Sequence, residues 1–186
     1  EQPGGRERSG NLARRFGVEP DAEVRARIIE VVAERRWNQH VSLLHRGVSD
    51  RVPLVRRQAL QAILKLPDRR ASGIISRQLK NEDQQELKLL GLRTQMLLAN
   101  SGGGGGPRKL LEEDSDPLVR QRAALTLGFL KERSGLFSLT RAVQEDESDV
   151  VRMAAAAALG NLGATRAAAR PCWPLRNSVR ERAGRR

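Results

Sequence analysis

Apolar residues recur along the chain with the spacing of one helix face, and the whole pattern repeats about every 32 residues. In one copy the spacing i, i+4, i+7, i+8, i+11 is occupied by Val119, Ala123, Thr126, Leu127 and Leu130. Two further copies consist of Val55, Ala59, Ala62, Ile63 and Leu66, and of Val151, Ala155, Ala158, Leu159 and Leu162. We number positions within each repeat from the first of these residues, which is position 0. The pattern predicts a series of equivalent amphipathic helices.

A basic residue follows position 0 in every copy, and in the first five copies an acidic residue lies five positions before it. The pairs are Val24-Arg25, Val55-Arg56, Leu87-Lys88, Val119-Arg120 and Val151-Arg152. A sixth pair, Val179-Arg180, follows the fifth at a slightly shorter interval. The preceding acids are Glu19, Asp50, Glu82, Asp114 and Asp146. This acidic turn predicts where each helix begins.

The residues just after the acidic turn are helix N-cap candidates. Asp116 is followed by Pro117, which suits an N-cap and the first helical position. Asp21 and Ser148 hold the equivalent cap position, whereas Val52 and Gln84 are poorer caps.

A shorter apolar pattern precedes each acidic turn, so each repeat reads as helix, turn, helix. One such hairpin cannot bury its own apolar face, and neighbouring hairpins must therefore stack. We expect an N-terminal segment with a partial first helix at 1–20, a repeat array at 21–164, and a degraded, basic terminal repeat at 165–186.

The repeat resembles the HEAT family and is most similar to its bacterial lyase-type variant. The resemblance rests on the acidic turn, the Val-Arg pair and an Ala-rich stretch that ends in Leu127-Gly128 or Leu159-Gly160. It implies an all-α fold, a right-handed α-solenoid of five to six helical hairpins. It also implies that the second helix of each hairpin lines the concave side.

The same resemblance implies a structural ladder of ion pairs. In HEAT-type stacks the basic residue after position 0 pairs with the acidic turn residue of its own or the next repeat. The predicted ladder consists of Arg25, Arg56, Lys88, Arg120 and Arg152, with Asp50, Asp114 and Asp146. The alternative is that these basic residues form a binding surface.

Candidate partner-binding residues lie on the open face of the second helices, at positions +2, +6 and +10. Among them we single out Arg57, Lys65, Arg93, Leu125, Phe129 and Met153. Leu125, Phe129 and Met153 are predicted to form one apolar patch, because solvated faces rarely expose three such residues together.

No residue set predicts catalysis, a metal site or a bound cofactor, so the protein is expected to be non-enzymatic. His40 and His45 are five positions apart, which places them about 140° apart around a helix. Cys172 is a single cysteine. The run of five glycines between Ser101 and Pro107 predicts a mobile loop that leaves a short helix from Pro107 to Glu113, rather than a phosphate-binding loop.

The charge leaves the class of partner open. The net charge is +12, and residues 165–186 hold seven Arg and one Glu. A protein–protein interaction scaffold is the leading hypothesis. The alternatives are a nucleic-acid-binding HEAT-like protein, with the basic C-terminal segment contacting phosphates, and a phycobilin-lyase-like HEAT protein. Trp37 and Trp173 lie off the predicted binding face, which argues against a DNA-glycosylase groove. No membrane segment is predicted, and the cytoplasm is the default compartment.

Overall fold

The fold is a stack of helical pairs, seen in a computed structural model that describes residues 5–98 and 103–163. Within those ranges the regular elements are helices, and there is no strand. The first helices of the pairs, called A helices, are α1 (Gly5–Val18), α3 (Val41–Val48), α5 (Ala71–Leu79), α7 (Gly105–Glu113) and α9 (Leu136–Glu145). The second, called B helices, are α2 (Ala22–Glu34), α4 (Pro53–Lys65), α6 (Gln85–Leu98), α8 (Pro117–Phe129) and α10 (Asp149–Asn161). Short 3₁₀ turns lie at Asn38–His40 and Arg133–Gly135.

The helices form two layers. Each B helix from α2 onward packs against the next B helix, and the A helices from α3 to α9 likewise pack in series. Within a pair, the A and B helices also contact each other. The predicted all-α helical repeat solenoid is therefore confirmed, with five pairs in the described residues. The predicted terminal repeat at 165–186, with Cys172 and Trp173, lies outside the described residues.

The core lies between the two layers and follows the predicted spacing. The residues at positions 0 and +4 of three B helices have no exposed surface; these are Val55, Ala59, Val119, Ala123, Val151 and Ala155. Small side chains let adjacent B helices approach closely. A Cβ on Gly128 would lie 2.6 Å from the Cα of Ala158, so α8 and α10 touch where glycine stands. Burial of each large aliphatic side chain, such as Leu127, contributes about 2 kcal/mol to folding.

Two aspartates cap their helices as the sequence predicts. The Oδ1 of Asp21 accepts a hydrogen bond from the Glu23 N–H at 2.7 Å. The Oδ1 of Asp116 accepts one from the Leu118 N–H at 2.8 Å, with Pro117 in the first turn. Ser148 and Val52 stand at the N-cap of their helices without a side-chain cap bond.

The end of the glycine run belongs to a helix instead of a loop. Helix α7 starts at Gly105, and Gly103, Gly104 and Gly106 are buried. The Gly106 N–H donates to Ser76 Oγ at 2.8 Å, and a Cβ on Gly106 would clash with the Ser76 carbonyl oxygen. The predicted helix from Pro107 to Glu113 therefore begins two residues earlier than expected, and the loop prediction was wrong for Gly105 and Gly106, because the missing side chains let α7 approach α5 closely. Residues 101 and 102 lie outside the described residues.

Candidate functional site

The basic residue after position 0 reaches the acidic turn of the following repeat. Arg25 donates from Nε and Nη2 to the two carboxylate oxygens of Asp50, both at 2.9 Å. Arg120 binds Asp146 with the same two-point geometry, again at 2.9 Å. Arg56 makes the equivalent pair with Glu82, at 2.7 and 2.9 Å, and Lys88 Nζ lies 2.6 Å from Asp114 Oδ2.

Each arginine of this set also donates hydrogen bonds to backbone carbonyls of the turn that precedes its own helix. Arg25 Nη1 donates to the carbonyls of Glu19 and Pro20, at 3.0 and 2.9 Å. Arg120 Nη1 donates to the carbonyls of Asp114 and Ser115, at 3.0 and 3.1 Å. One guanidinium therefore holds the backbone of one turn and the carboxylate of the next. A lysine has a single nitrogen, and for Lys88 only the contact with Asp114 occurs among the described residues.

The carboxylates of these turn acids accept hydrogen bonds both from the basic residue of the preceding repeat and from a backbone N–H of their own turn. The Oδ1 of Asp50 accepts from the Val52 N–H, and the Oδ1 of Asp146 accepts from the Ser148 N–H, both at 2.9 Å. Burial raises the pKa of the Asp50, Glu82 and Asp146 carboxyls, but hydrogen bonds and charge from Arg25, Arg56 and Arg120 outweigh it. The net result is a pKa below the ordinary range for all three.

Arg152 departs from this pattern. Its Nη1 donates to the Asp146 and Glu147 carbonyls, at 2.7 and 3.2 Å, as in the earlier repeats. Its ion pair, however, is with Asp149 in its own helix, and that carboxylate is 80% exposed. The position that corresponds to Asp146 in the sixth copy, five residues before Val179, is Pro174, which lies outside the described residues. The sequence therefore supplies no acid there to continue the ladder.

A groove opens on the B-helix layer between α6 and α8, with a volume of about 640 Å³. This B-helix groove is lined chiefly by Leu89, Leu90, Arg93, Met96, Leu118 and Arg122. Its walls are mostly aliphatic, and an arginine stands on each of the two helices. Its size falls within the range of small-molecule and peptide-side-chain pockets.

Sequence reasoning found Arg93 in this groove but missed Leu90, Leu118 and Arg122. The candidate positions +2, +6 and +10 are four residues apart. In a helix of 3.6 residues per turn, each step of four moves the side-chain direction by about 40° around the helix axis. Exposed residues instead follow a mixed step of three and four, so positions −1 and +3 belong to the groove on α8. That spacing is the complement of the core spacing and could have been read from the sequence.

The polar partner-binding candidates occupy different surroundings. Arg57 is held by Glu86, with Nη2 2.6 Å from Oε2. Lys65 and Arg93 are exposed, and neither has an ion pair among the described residues. Arg122 is exposed and unpaired in the same part of the chain. Arg93 and Arg122 are thus the groove cations whose charge is available to a partner.

The apolar candidates differ in their exposure. Phe129 is 52% exposed and Met153 is 71% exposed, whereas Leu125 is half-buried. Phe129 ends α8 at position +10, while Met153 lies at position +2 of α10. Eight positions correspond to about 12 Å along a helix. Because equivalent positions of neighbouring repeats are expected to lie side by side, we expect Phe129 to lie level with Leu97, which is 49% exposed at position +10 of α6, rather than with Met153.

The histidines and the acidic side chains of the described residues form no clear metal or ligand site. The described chain holds no cluster of three or more metal-ligating side chains. Burial lowers the pKa of both His40 and His45, and the His40 ring packs 5.7 Å from that of Trp37. A second cavity, of about 350 Å³ between α7 and α9, is rich in acids, but its Asp146 carboxylate is already paired with Arg120.

The comparisons with known proteins point to one repeat family. Within the described ranges, no helix combines the length and apolar character that spanning a bilayer requires. No curated protein matches the chain. Residues 107–170, which are less than half of the chain, match the family model described as HEAT repeats. This segment begins within α7 and includes α8, α9 and α10, so the last two helical pairs of the described fold are similar to HEAT repeats.

Proposed function

We propose that this protein is a non-catalytic scaffold that binds a protein partner on its B-helix layer. The observation that carries the proposal is the B-helix groove, together with Leu97 and Phe129, which are half exposed on the two helices that form it. Exposed apolar side chains on the helices that form a groove are typical of a contact site. HEAT repeats commonly serve as protein-interaction scaffolds, and the resemblance to them implies that the B helices line the concave side.

The ladder has a structural role in this proposal. Arg25, Arg56 and Arg120 direct their guanidinium groups into buried or half-buried pairs with the next turn, so their charge is not free to bind phosphate. This argues against a nucleic-acid surface built from the ladder. The basic segment 165–186, the other candidate for phosphate binding, lies outside the described residues. No observation in the described part favours a phycobilin-lyase-like role.

Two phenylalanines on opposite layers allow a matched test. Phe129 is on the B layer, whereas Phe137 is on the A helix α9 and is 76% exposed. The full chain would first be used to capture binding proteins from a lysate, and these would be made recombinantly. Calorimetry would then measure their affinity for the wild-type chain, Phe129→Ala and Phe137→Ala. We expect Phe129→Ala to weaken binding by more than about 1 kcal/mol and Phe137→Ala to leave it unchanged. The reverse pattern would refute the proposal.

A further inference from the structure

The B-helix groove combines aliphatic walls with two unpaired cations, and this combination indicates a particular kind of partner. Arg93 lies at position +6 of α6 and Arg122 at position +3 of α8, so the two guanidinium groups come from helices that face each other across the groove. The same groove is lined by Leu89, Leu90 and Met96 from α6 and by Leu118 at the start of α8.

The acidic residue at the groove does not cancel this charge. Glu86 also lines the groove, but its carboxylate is 2.6 Å from Arg57 Nη2. This pair neutralises Glu86 locally. By contrast, Arg93 and Arg122 have no ion pair in the described ranges, and Lys65 is likewise exposed at the end of α4. The groove is therefore left with net positive charge, and complementary charge on a partner would be negative.

We propose that the B-helix groove binds an acidic amphipathic peptide segment of a partner protein. Aliphatic side chains of that segment would fill the space beside Leu90, Met96 and Leu118, and its Asp or Glu carboxylates would pair with Arg93 and Arg122. Arginine suits this role because its planar guanidinium binds a carboxylate through two hydrogen bonds. The inference rests on the proposed scaffold function and specifies the chemistry of the partner.

A peptide fits the groove better than a nucleic acid does. Proteins that hold single-stranded nucleic acid stack bases on aromatic side chains along a track of cations. The residues that line this groove include no aromatic side chain, and its unpaired cations are two arginines. Aliphatic walls with a few charges at the edges are instead characteristic of helix or strand recognition by protein grooves.

The test uses selected peptides and a charge-matched control. A phage-displayed library of short random peptides would be selected on the immobilised full chain, and fluorescein-labelled versions of the winners measured by polarisation. The groove variants are Arg93→Glu/Arg122→Glu and Leu118→Ser. The control is Arg77→Glu/Arg108→Glu, which makes the same change in net charge at exposed, unpaired arginines of the A helices α5 and α7 within the described residues.

We expect the selected peptides to be rich in Asp or Glu together with aliphatic residues, and their binding to weaken at higher salt. Arg93→Glu/Arg122→Glu should reduce affinity about tenfold or more, and Leu118→Ser should also reduce it. Arg77→Glu/Arg108→Glu should change it less than about twofold. Circular dichroism and the melting temperature establish that each variant is folded. If the charge reversal prevents folding, Arg93→Gln/Arg122→Gln is measured in its place with the same expected direction.

Three other results would overturn the proposal. Peptides without acidic enrichment that lose affinity with Leu118→Ser but not with Arg93→Glu/Arg122→Glu would refute the charge assignment and leave the scaffold function standing. Peptides that respond only to the A-helix control would refute both. The peptide assignment also fails if no acidic peptide is selected while a fluorescein-labelled single-stranded oligonucleotide binds and is released by Arg93→Glu/Arg122→Glu.

Discussion

Arg120 and Asp146 form a two-point ion pair that joins two consecutive turns of the solenoid, with both nitrogen–oxygen distances at 2.9 Å. The two side chains are only 9% and 8% exposed. Because Arg120 also donates to two carbonyls of its own turn, the residue connects the beginnings of α8 and α10. The same arrangement recurs two repeats earlier, where Arg56 binds Glu82.

Removal of one member of this pair should destabilise the fold. Arg120→Ala leaves the Asp146 carboxylate buried without its guanidinium partner, and we expect a loss of about 3 kcal/mol in the free energy of unfolding. Arg152→Ala is the matched control, because Arg152 holds the same repeat position but pairs with an exposed carboxylate. Urea denaturation followed by circular dichroism measures both. An Arg152→Ala loss as large as that of Arg120→Ala would contradict the structural role of the buried pair.

The buried turn acids should make stability depend on pH. The pKa values of Asp50, Glu82 and Asp146 are lowered on folding, so the unfolded chain binds more protons in acid. Their contribution is complete above the unfolded carboxyl pKa of about 4 and is lost as pH falls through the folded values. We expect the melting temperature to hold from pH 7 to about 5 and then to drop.

Asp146→Asn isolates one part of this acid effect. The variant should be less stable than wild type at pH 7 and should lose less stability between pH 7 and pH 3. Asp83→Asn is the control, since Asp83 is exposed and makes no ion pair in the part of the chain that the structure describes. Parallel pH profiles for wild type and Asp146→Asn would show that Asp146 does not contribute.

Gly106 should not tolerate a side chain. A methyl group there would collide with the Ser76 backbone carbonyl, so Gly106→Ala should destabilise the protein by about 1–3 kcal/mol. A Cβ at Gly73 in α5 meets nothing within 4 Å, so Gly73→Ala should stabilise the helix by about 0.5–1 kcal/mol. The two melting temperatures should therefore move in opposite directions. A neutral Gly106→Ala would mean that α7 does not approach α5 as closely as described.

Truncation to alanine should lower the free energy of unfolding much more at Leu127 than at Phe129. Leu127 is fully buried, and Leu127→Ala should reduce the free energy of unfolding by about 2–5 kcal/mol. Phe129 is about half exposed and lies outside the core, so Phe129→Ala should cost less than about 1 kcal/mol. Denaturant titration of the two variants compares them directly. A large loss for Phe129→Ala would assign this residue to packing and remove it from the binding surface.

The sequence alone determined the helices and their core faces. The spacing from Val119 to Leu130 fixes which side of α8 is apolar, and the Asp116-Pro117 pair fixes where that helix begins. These properties are local, because helical periodicity and capping depend on residues within one or two turns. The regular recurrence of the pattern then implied stacking, since no single hairpin can bury its own apolar stripe.

Only the tertiary structure decided how neighbouring repeats meet. The sequence left open whether Arg56 pairs with Asp50 of its own turn or with the acid of the next, and packing places it on Glu82. The sequence also predicted a loop at Gly106. A run of glycines shows that side chains are missing, but it does not show that the Ser76 carbonyl lies where a side chain of residue 106 would be. Arg122 joins Arg93 in one groove because α6 and α8 lie side by side, and the distance between helices is set by side chains that lie a full repeat apart in the sequence.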